Sequence, residues 1–310
     1  MKNIKFFQTI LAPILFPVSL LYLAIVSARN FLYDIGFFKT VKVDDVKIIS
    51  IGNIKAGGTG KTPLCIGLAN YLLSLGYVVA IVTNAYKAKH KNALIVSDGK
   101  SVFYKTPFVN DETYLIAKKT KAIVASAKDR LSAVELLKKF KPNYVILDDG
   151  LQYRKIAKDL EVCIIDQEKF YLPFGLLRDS KKSLKRCSKL ICFEGDCEIK
   201  AKIVNNGFFD INGRVNKPES AFVFCSIGNP FKFLSSIKET GIFVKGFKCF
   251  RDHYNYTKKD IEILRTLKSK TKSEVLLTTY KDFVKIEQSG IVYVDIEILL
   301  DYKKLLEGVA

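Results

Sequence analysis

Between Ala56 and Thr62 the chain reads Ala-Gly-Gly-Thr-Gly-Lys-Thr, so Gly57, Gly58, Thr59 and Gly60 lead directly into Lys61 and Thr62. Glycines let successive backbone N–H groups converge on an anion, and a helix opening at Lys61 adds unpaired amides of its own. Such a nest holds phosphate. Lys61 would reach the β- and γ-phosphates, and Thr62 would offer its hydroxyl to Mg2+. The strict pattern has glycine six residues before the lysine, where this chain has Lys55. A phosphate-bound Mg2+ also takes one or two carboxylates, and Asp148 and Asp149 close the apolar run Tyr144 to Leu147 where that partner is needed.

Phosphoryl transfer needs a base near the acceptor and cations for the spreading charge. Asp111 and Glu112 open a helix-like segment, where a carboxylate also serves as an ordinary cap. His253 stands in the polar, aromatic turn Phe250 to Tyr256; the only other histidine, His90, lies in a lysine-rich loop and is expected to be solvated. A phosphate loop by itself fits kinases, GTPases, partition ATPases and transport motors. Thr279-Tyr280-Lys281-Asp282 has the residue types of a guanine-recognition run in the wrong spacing. A membrane-associated partition-type ATPase stays open, because that class carries a second lysine five or six residues before the loop lysine and Lys55 sits at six.

These residues need a frame. After residue 45, short β-branched runs at 46–51, 78–83, 93–96, 121–125, 143–148, 161–165 and 189–193 alternate with helical patterns, the rhythm of βαβ units and a mostly parallel sheet. Residues 200–220 read as a turn-rich connection, followed by a second α/β set with strands at 221–226, 242–244, 274–278 and 291–295. The expected fold is α/β: two P-loop-like or Rossmann-like lobes with mostly parallel sheets after an apolar N-terminal helix, divided as 1–35, 36–210 and 211–310.

The 310 residues carry a net charge of +19, which favours anionic partners, and the 49% hydrophobic content excludes a disordered or fibrous chain. Seven cysteines show no disulfide-scaffold density, which points to a reducing, cytoplasmic setting; Cys187, Cys192 and Cys197 read as buried or incidental thiols. From Phe6 to Ala28 no residue is charged. As a helix this run would reach about 35 Å against a hydrocarbon core of about 30 Å, although Pro13 and Pro17 should kink or break it. Lys2, Lys5 and Val26-Ser27-Ala28 weakly mimic a signal peptide. The downstream nucleotide site argues against export, so an anchor or interfacial helix is expected, with Arg29, Lys39, Lys42 and Lys47 against anionic headgroups.

The ordered set SIGNIKAGGTGKTP, NDETYLIA, VILDDGLQYRKIAKDLEVCIID, LPFGLLRDS, IGNP, DHYNY and LLTTYKD, from about residue 20 to 282, resembles the tetraacyldisaccharide 4′-kinase family of lipid A synthesis. The resemblance implies transfer of the ATP γ-phosphate, with Mg2+, to the 4′-hydroxyl of a tetra-acylated glucosamine disaccharide 1-phosphate at the cytoplasmic face of the bacterial inner membrane. It implies phosphate and metal contacts for Lys61 and Thr62, Mg2+ service by Asp148 and Asp149, Asp111 as the base with His253 supporting it, and Glu112, Gln152 and Arg178 lining the site. No nucleic acid partner is expected, and a monomer is. A P-loop kinase for another amphipathic sugar shares most of this chemistry. The chain departs from the family at Asn84, where arginine is usual, at Tyr153 for histidine, at Phe174 for a small residue, and at Thr113 and Tyr280 for proline.

Overall fold

A computed structural model describes residues 2–309; up to Ala12, and at Ile14, only the backbone is described. The side chains of Lys2 and Lys5, weighed above as a signal-like flank, lie outside the described residues. Helix α1 (Lys2–Asp34) runs without interruption through Pro13 and Pro17. The two prolines sit one turn apart, so both missing N–H groups fall on one side of the helix, and the expected break does not occur.

The first sheet contains β1 (Lys47–Asn53), β2 (Val79–Asn84), β3 (Leu94–Asp98), β4 (Ile123–Ala127), β5 (Tyr144–Asp148), β6 (Leu160–Ile164), β7 (Lys189–Cys192) and β8 (Ile199–Lys200). Their order is β3-β4-β2-β5-β1-β6-β7-β8, and only β3 runs antiparallel. The inner strands are buried on both faces, which is why they read as unbroken β-branched runs rather than alternating ones. Helices α2 (Lys61–Ser74) and α3 (Asp111–Lys119) bury Leu64, Leu68, Leu72 and Ile116 against one face. Helix α4 (Arg130–Leu137) buries Ala133, Val134 and Leu137 against the other.

The second sheet has the order β10-β9-β14-β13-β11-β12, built from β9 (Lys202–Asp210), β10 (Gly213–Val215), β11 (Ser220–Cys225), β12 (Phe243–Cys249), β13 (Val275–Thr279) and β14 (Ile291–Leu299). Helix α5 (Pro230–Glu239) covers one face through Phe233 and Ile237; α6 (Lys258–Lys270) and α7 (Tyr280–Ile286) cover the other through Ile261, Leu264 and Phe283. The stretch 200–220, read from sequence as a connection, contains β9 and β10. Sheet membership therefore changes between Lys200 and Lys202, ahead of the expected boundary at 210. Polar Asn205, Asn206 and Gly207 hide β9 in the sequence, and antiparallel pairing with β14 supplies the hydrogen bonds that make it a strand.

The C-terminus ties the lobes together. Helix α8 (Tyr302–Leu306) stacks Tyr302 on Tyr71 of α2 at 5.1 Å and adds Leu305 and Leu306 to the first core. Gly67 makes room for it, since a Cβ there would stand 2.0 Å from the Tyr302 hydroxyl.

Two thiols expected to be free are bonded: Cys192 at the end of β7 and Cys197 just before β8 form a disulfide. The turn joining these neighbouring strands brings them together, a proximity that sequence spacing alone does not show. His90, expected to be solvated, is buried, with Nδ1 2.9 Å from the Asn92 carbonyl oxygen and Nε2 3.2 Å from Ser126 Oγ. Its role is structural.

Candidate active site

The site stands at the carboxyl ends of β1, β2 and β5, where an open α/β sheet leaves its crevice. Residues 54–60 turn from β1 into α2. Gly57 and Gly60 take φ of 102° and 87°, left-handed values that other residues adopt at a cost. At Gly60 a Cβ would also meet the Phe193 ring at 2.8 Å. No side chain caps α2, so its first amides stay open toward an anion.

Lys61 Nζ donates to Asn53 Oδ1 at 3.1 Å and Thr59 Oγ1 at 3.3 Å, and stands 3.6 Å from Asp149 Oδ1. Asn53 Nδ2 also donates to Thr59 Oγ1 at 2.7 Å. The end of β1 thus holds both the loop and its lysine, and Thr62 follows in the first turn of α2. Lys55, the residue that kept a partition-type ATPase open, donates instead to Asp166 at 2.8 Å.

The two aspartates after β5 have different surroundings. Asp149, at φ 55°, receives the Arg178 guanidinium on both oxygens, with Nη1 to Oδ2 at 2.8 Å. Burial raises its proton affinity, but Arg178 and Lys61 outweigh burial and hold it below the usual carboxylate range. Asp148 is 5% exposed, and among the described residues its side chain is hydrogen-bonded only by Cys65 Sγ, at 3.4 Å. Burial first, then the carboxylates of Glu112 and Asp149, push it up to about 7. A buried carboxylate that forms no salt bridge among the described residues, with only Lys61 near enough to lower its proton affinity, fits a divalent cation beside a phosphate nest. Beneath both residues, buried Arg130 donates from Nη2 to the carbonyl oxygens of Asp148 and Asp149, at 3.2 and 3.0 Å.

Asp111 is the first residue of α3. Asn110 caps the helix by accepting from Thr113 N at 2.8 Å, which leaves the Asp111 carboxylate free to face the crevice. Thr106 donates to Oδ1 at 3.2 Å, and His253 Nδ1 lies 3.2 Å from Oδ2. An ionised carboxylate only accepts, so Nδ1 is the donor; Nε2 faces the Lys281 ammonium at 3.5 Å, a donor-only group, and therefore accepts. Burial pushes Asp111 up. The His253 hydrogen bond and the ammonium groups of Lys285 and Lys281 more than offset it, leaving the group below the ordinary carboxylate range.

Asp111, Glu112, Asp148, Asp149, Arg178 and His253 line one cavity of about 330 Å3. Gln152 stands one layer behind, donating from Nε2 to the Asn53 carbonyl at 2.9 Å and to Asp179 Oδ2 at 3.1 Å. Asp179 in turn accepts from Asn30 of α1 at 2.9 Å, so a polar chain runs from the apolar helix to the phosphate loop. The sequence reading missed Asn53, Arg130, Lys281 and Lys285. Asn53 and Lys281 fall inside the runs SIGNIKAGGTGKTP and LLTTYKD but were given no role there, and Arg130 and Lys285 lie outside every quoted run.

The departures from the family pattern have local accounts. Tyr153 donates to Asp129 and accepts from Leu131 N at 3.1 Å, bracing the start of α4. Phe174 meets Phe16 of α1 edge-on at 6.1 Å. Thr113 is bonded to Thr83 at 2.7 Å, and Tyr280 lies under Lys119 at 4.5 Å. Asn84 lines the cavity with Lys87 beside it.

Comparison with known proteins agrees with this geometry. The family described as LpxK, tetraacyldisaccharide-1-P 4′-kinase, matches residues 11–309. A tetraacyldisaccharide 4′-kinase of Chlorobium phaeobacteroides is 36% identical over 308 residues, covering 88% of this chain and 86% of that one. Its counterpart in Rickettsia canadensis is 32% identical, covering 96% and 93%. A crystal structure of LpxK from Aquifex aeolicus in complex with ATP superposes with a TM-score of 0.80 at 29% identity, covering 98% of this chain and all of that one. A glycine nest, an Asp-Asp turn and an Asp-His pair in one crevice, together with these matches, establish that the chain belongs to the tetraacyldisaccharide 4′-kinase family.

Proposed function

We propose that Asp111 is the base of this kinase and that Lys61, the loop amides and Arg178 bind the triphosphate tail of ATP. The chain is an ATP-dependent kinase of lipid A synthesis, moving the γ-phosphate to the 4′-hydroxyl of a tetra-acylated disaccharide 1-phosphate. The observation that carries the assignment of roles is that Asp111 and His253, from separate lobes, share a cavity with the Asp148–Asp149 turn.

The Asp111 carboxylate takes the proton from the sugar hydroxyl as the hydroxyl oxygen bonds to the γ-phosphorus, and the bond from phosphorus to the β,γ-bridging oxygen breaks, releasing ADP. His253, donating through Nδ1, orients the carboxylate and shares the negative charge. Lys61 follows the charge that moves onto the β-phosphate. Thr62 and Asp148 would hold Mg2+, which would neutralise the phosphate oxygens; Asp149 is already engaged by Arg178 and braces the turn. Glu112, 3.5 Å from Lys281, lies at the acceptor side and serves the sugar.

Helix α1 supports a seat at the cytoplasmic face of the inner membrane. Only 11% of its apolar stretch Leu15–Asp34 is buried, whereas a core helix would be mostly covered. It turns Ser19, Tyr22 and Asn30 to the protein and leaves Phe16, Leu20, Leu21, Ile25 and Phe31 exposed, the reverse of a helix on a water-soluble body. Arg29, expected against headgroups, donates instead to the Gln152 carbonyl at 2.9 Å; Lys39, Lys42 and Lys47 remain for that role. The protein acts as a monomer divided into an apolar helix and two α/β domains. Replacing Leu21 and Ile25 by lysine is expected to lower vesicle partition on the order of 100-fold. Flotation with anionic liposomes measures it, and unchanged binding would remove the anchoring role.

The activity itself is tested by incubating purified protein with ATP, Mg2+ and the tetra-acylated disaccharide 1-phosphate in detergent micelles. Mass spectrometry should show the lipid gaining one phosphoryl group at the 4′ position. ATP consumption with an unmodified lipid would point to a partner-stimulated ATPase.

A further inference from the structure

We propose that Lys285 is the positioning residue of the Asp111–His253 pair, its buried ammonium holding the carboxylate and the histidine turn together across the two lobes. This rests on the reading of Asp111 as the base.

Lys285 lies on α7, its side chain 2% exposed, a position that a lysine occupies only with its charge compensated. Its ammonium is 3.3 Å from Asp111 Oδ2 and 3.1 Å from Asp282 Oδ1; it donates to Ser226 Oγ at 2.8 Å and the Tyr254 carbonyl at 3.1 Å, over the Tyr256 ring. Asp282 is already well served inside its own lobe, accepting from Ser226 N at 2.8 Å and Thr279 Oγ1 at 3.0 Å. The anchored pair Asp282–Lys285 therefore presents its remaining attraction to a single group of the other lobe, the Asp111 carboxylate.

The hydrogen bond to Tyr254 reaches the second member. His253 has φ 60°, a left-handed conformation that a residue with a Cβ holds only when its surroundings compel it. Lys285 grips the very next carbonyl, while His253 N donates to the Ser226 carbonyl at 3.3 Å. One ammonium thus touches the base directly and the backbone beside its histidine. One turn earlier, Lys281 faces His253 Nε2 at 3.5 Å, so α7 aims two cations four residues apart at the pair.

The groups facing Asp111 are Thr106 from its own lobe and His253, Lys281 and Lys285 from the other. Glu112 is its neighbour in sequence, Asp282 stands behind Lys285, Asp252 lies near His253 Nε2, and Asp148 and Asp149 lie across the cavity. Lys285 is one of the two ammonium groups that offset burial at Asp111, and methionine removes it. The proton affinity of Asp111 must then rise, and the histidine turn loses a tether.

The test is the pH dependence of kcat for wild type, Lys285→Met, Lys285→Arg and the double variant Lys285→Met/Asp282→Asn, which also removes the carboxylate left uncompensated. Lys285→Met should lower kcat by roughly 100-fold, leave KM for ATP within about threefold, and move the acid limb upward by about one pH unit or more. Lys285→Arg should keep the acid limb near its wild-type position. A folded Lys285→Met enzyme with the wild-type profile overturns the proposal; if it does not fold, the double variant is read the same way, and failure of both to fold makes the lysine structural and also overturns it. Wild-type turnover by Asp111→Asn would instead sink the assignment of the base, whatever Lys285 does.

Discussion

Asp111→Asn will fold normally and lose phosphoryl transfer by about 10³-fold or more. Asparagine keeps the shape, the capped start of α3 and an oxygen able to accept from His253, so the change removes only the negative charge and the basic lone pair. Because Asp111 is held below the usual carboxylate range, the proposed base is ionised throughout the neutral region. Protonation of Asp111 should therefore cost activity only as pH drops through that lowered value. Radiolabelled transfer from ATP to the disaccharide, with circular dichroism as the control for folding, measures the effect; a folded variant within tenfold of wild type would show that another group takes the proton.

Lys61→Ala should be nearly as severe, lowering kcat by about 10³-fold and weakening ATP binding. The side chain is largely enclosed and already aimed by Asn53 and Thr59, so its ammonium needs little reorganisation when phosphate arrives. Glycine-loop amides remain in the variant, which predicts that some nucleotide still binds while transfer is lost. Isothermal titration with ATP beside the transfer assay separates the two effects, and turnover close to wild type would exclude Lys61 from the phosphate site.

How much of this was legible before folding depends on the range of each interaction. The phosphate loop, the Asp148–Asp149 turn after β5 and the strand rhythm are local patterns: glycine conformations, a helix start and apolar runs buried on both faces all lie within a few residues. Those features appear in the structure within two or three residues of where the sequence places them, except that β12 and β14 extend further, to Cys249 and Leu299. Asp111 and His253, taken singly, read better as an ordinary helix-start carboxylate and a loop residue than as catalytic groups, and family resemblance alone paired them. Their contact spans 142 positions.

Tertiary structure decided the rest. β9 is polar enough to pass for a linker until β14 lies beside it, and Cys192 meets Cys197 only because two short strands are neighbours. Asp148 and Asp149 are equivalent in sequence, yet Arg178 selects one and leaves the other open. The outward face of α1 is invisible in a run with little polar content until Ser19 and Asn30 find partners near residues 171 and 179. Lys285 shows the physical reason most plainly: a lysine among fifty basic residues carries no signal in its identity, and acquires one only when burial removes water and leaves Asp282 of its own helix and Asp111 of the other lobe as its counter-charges.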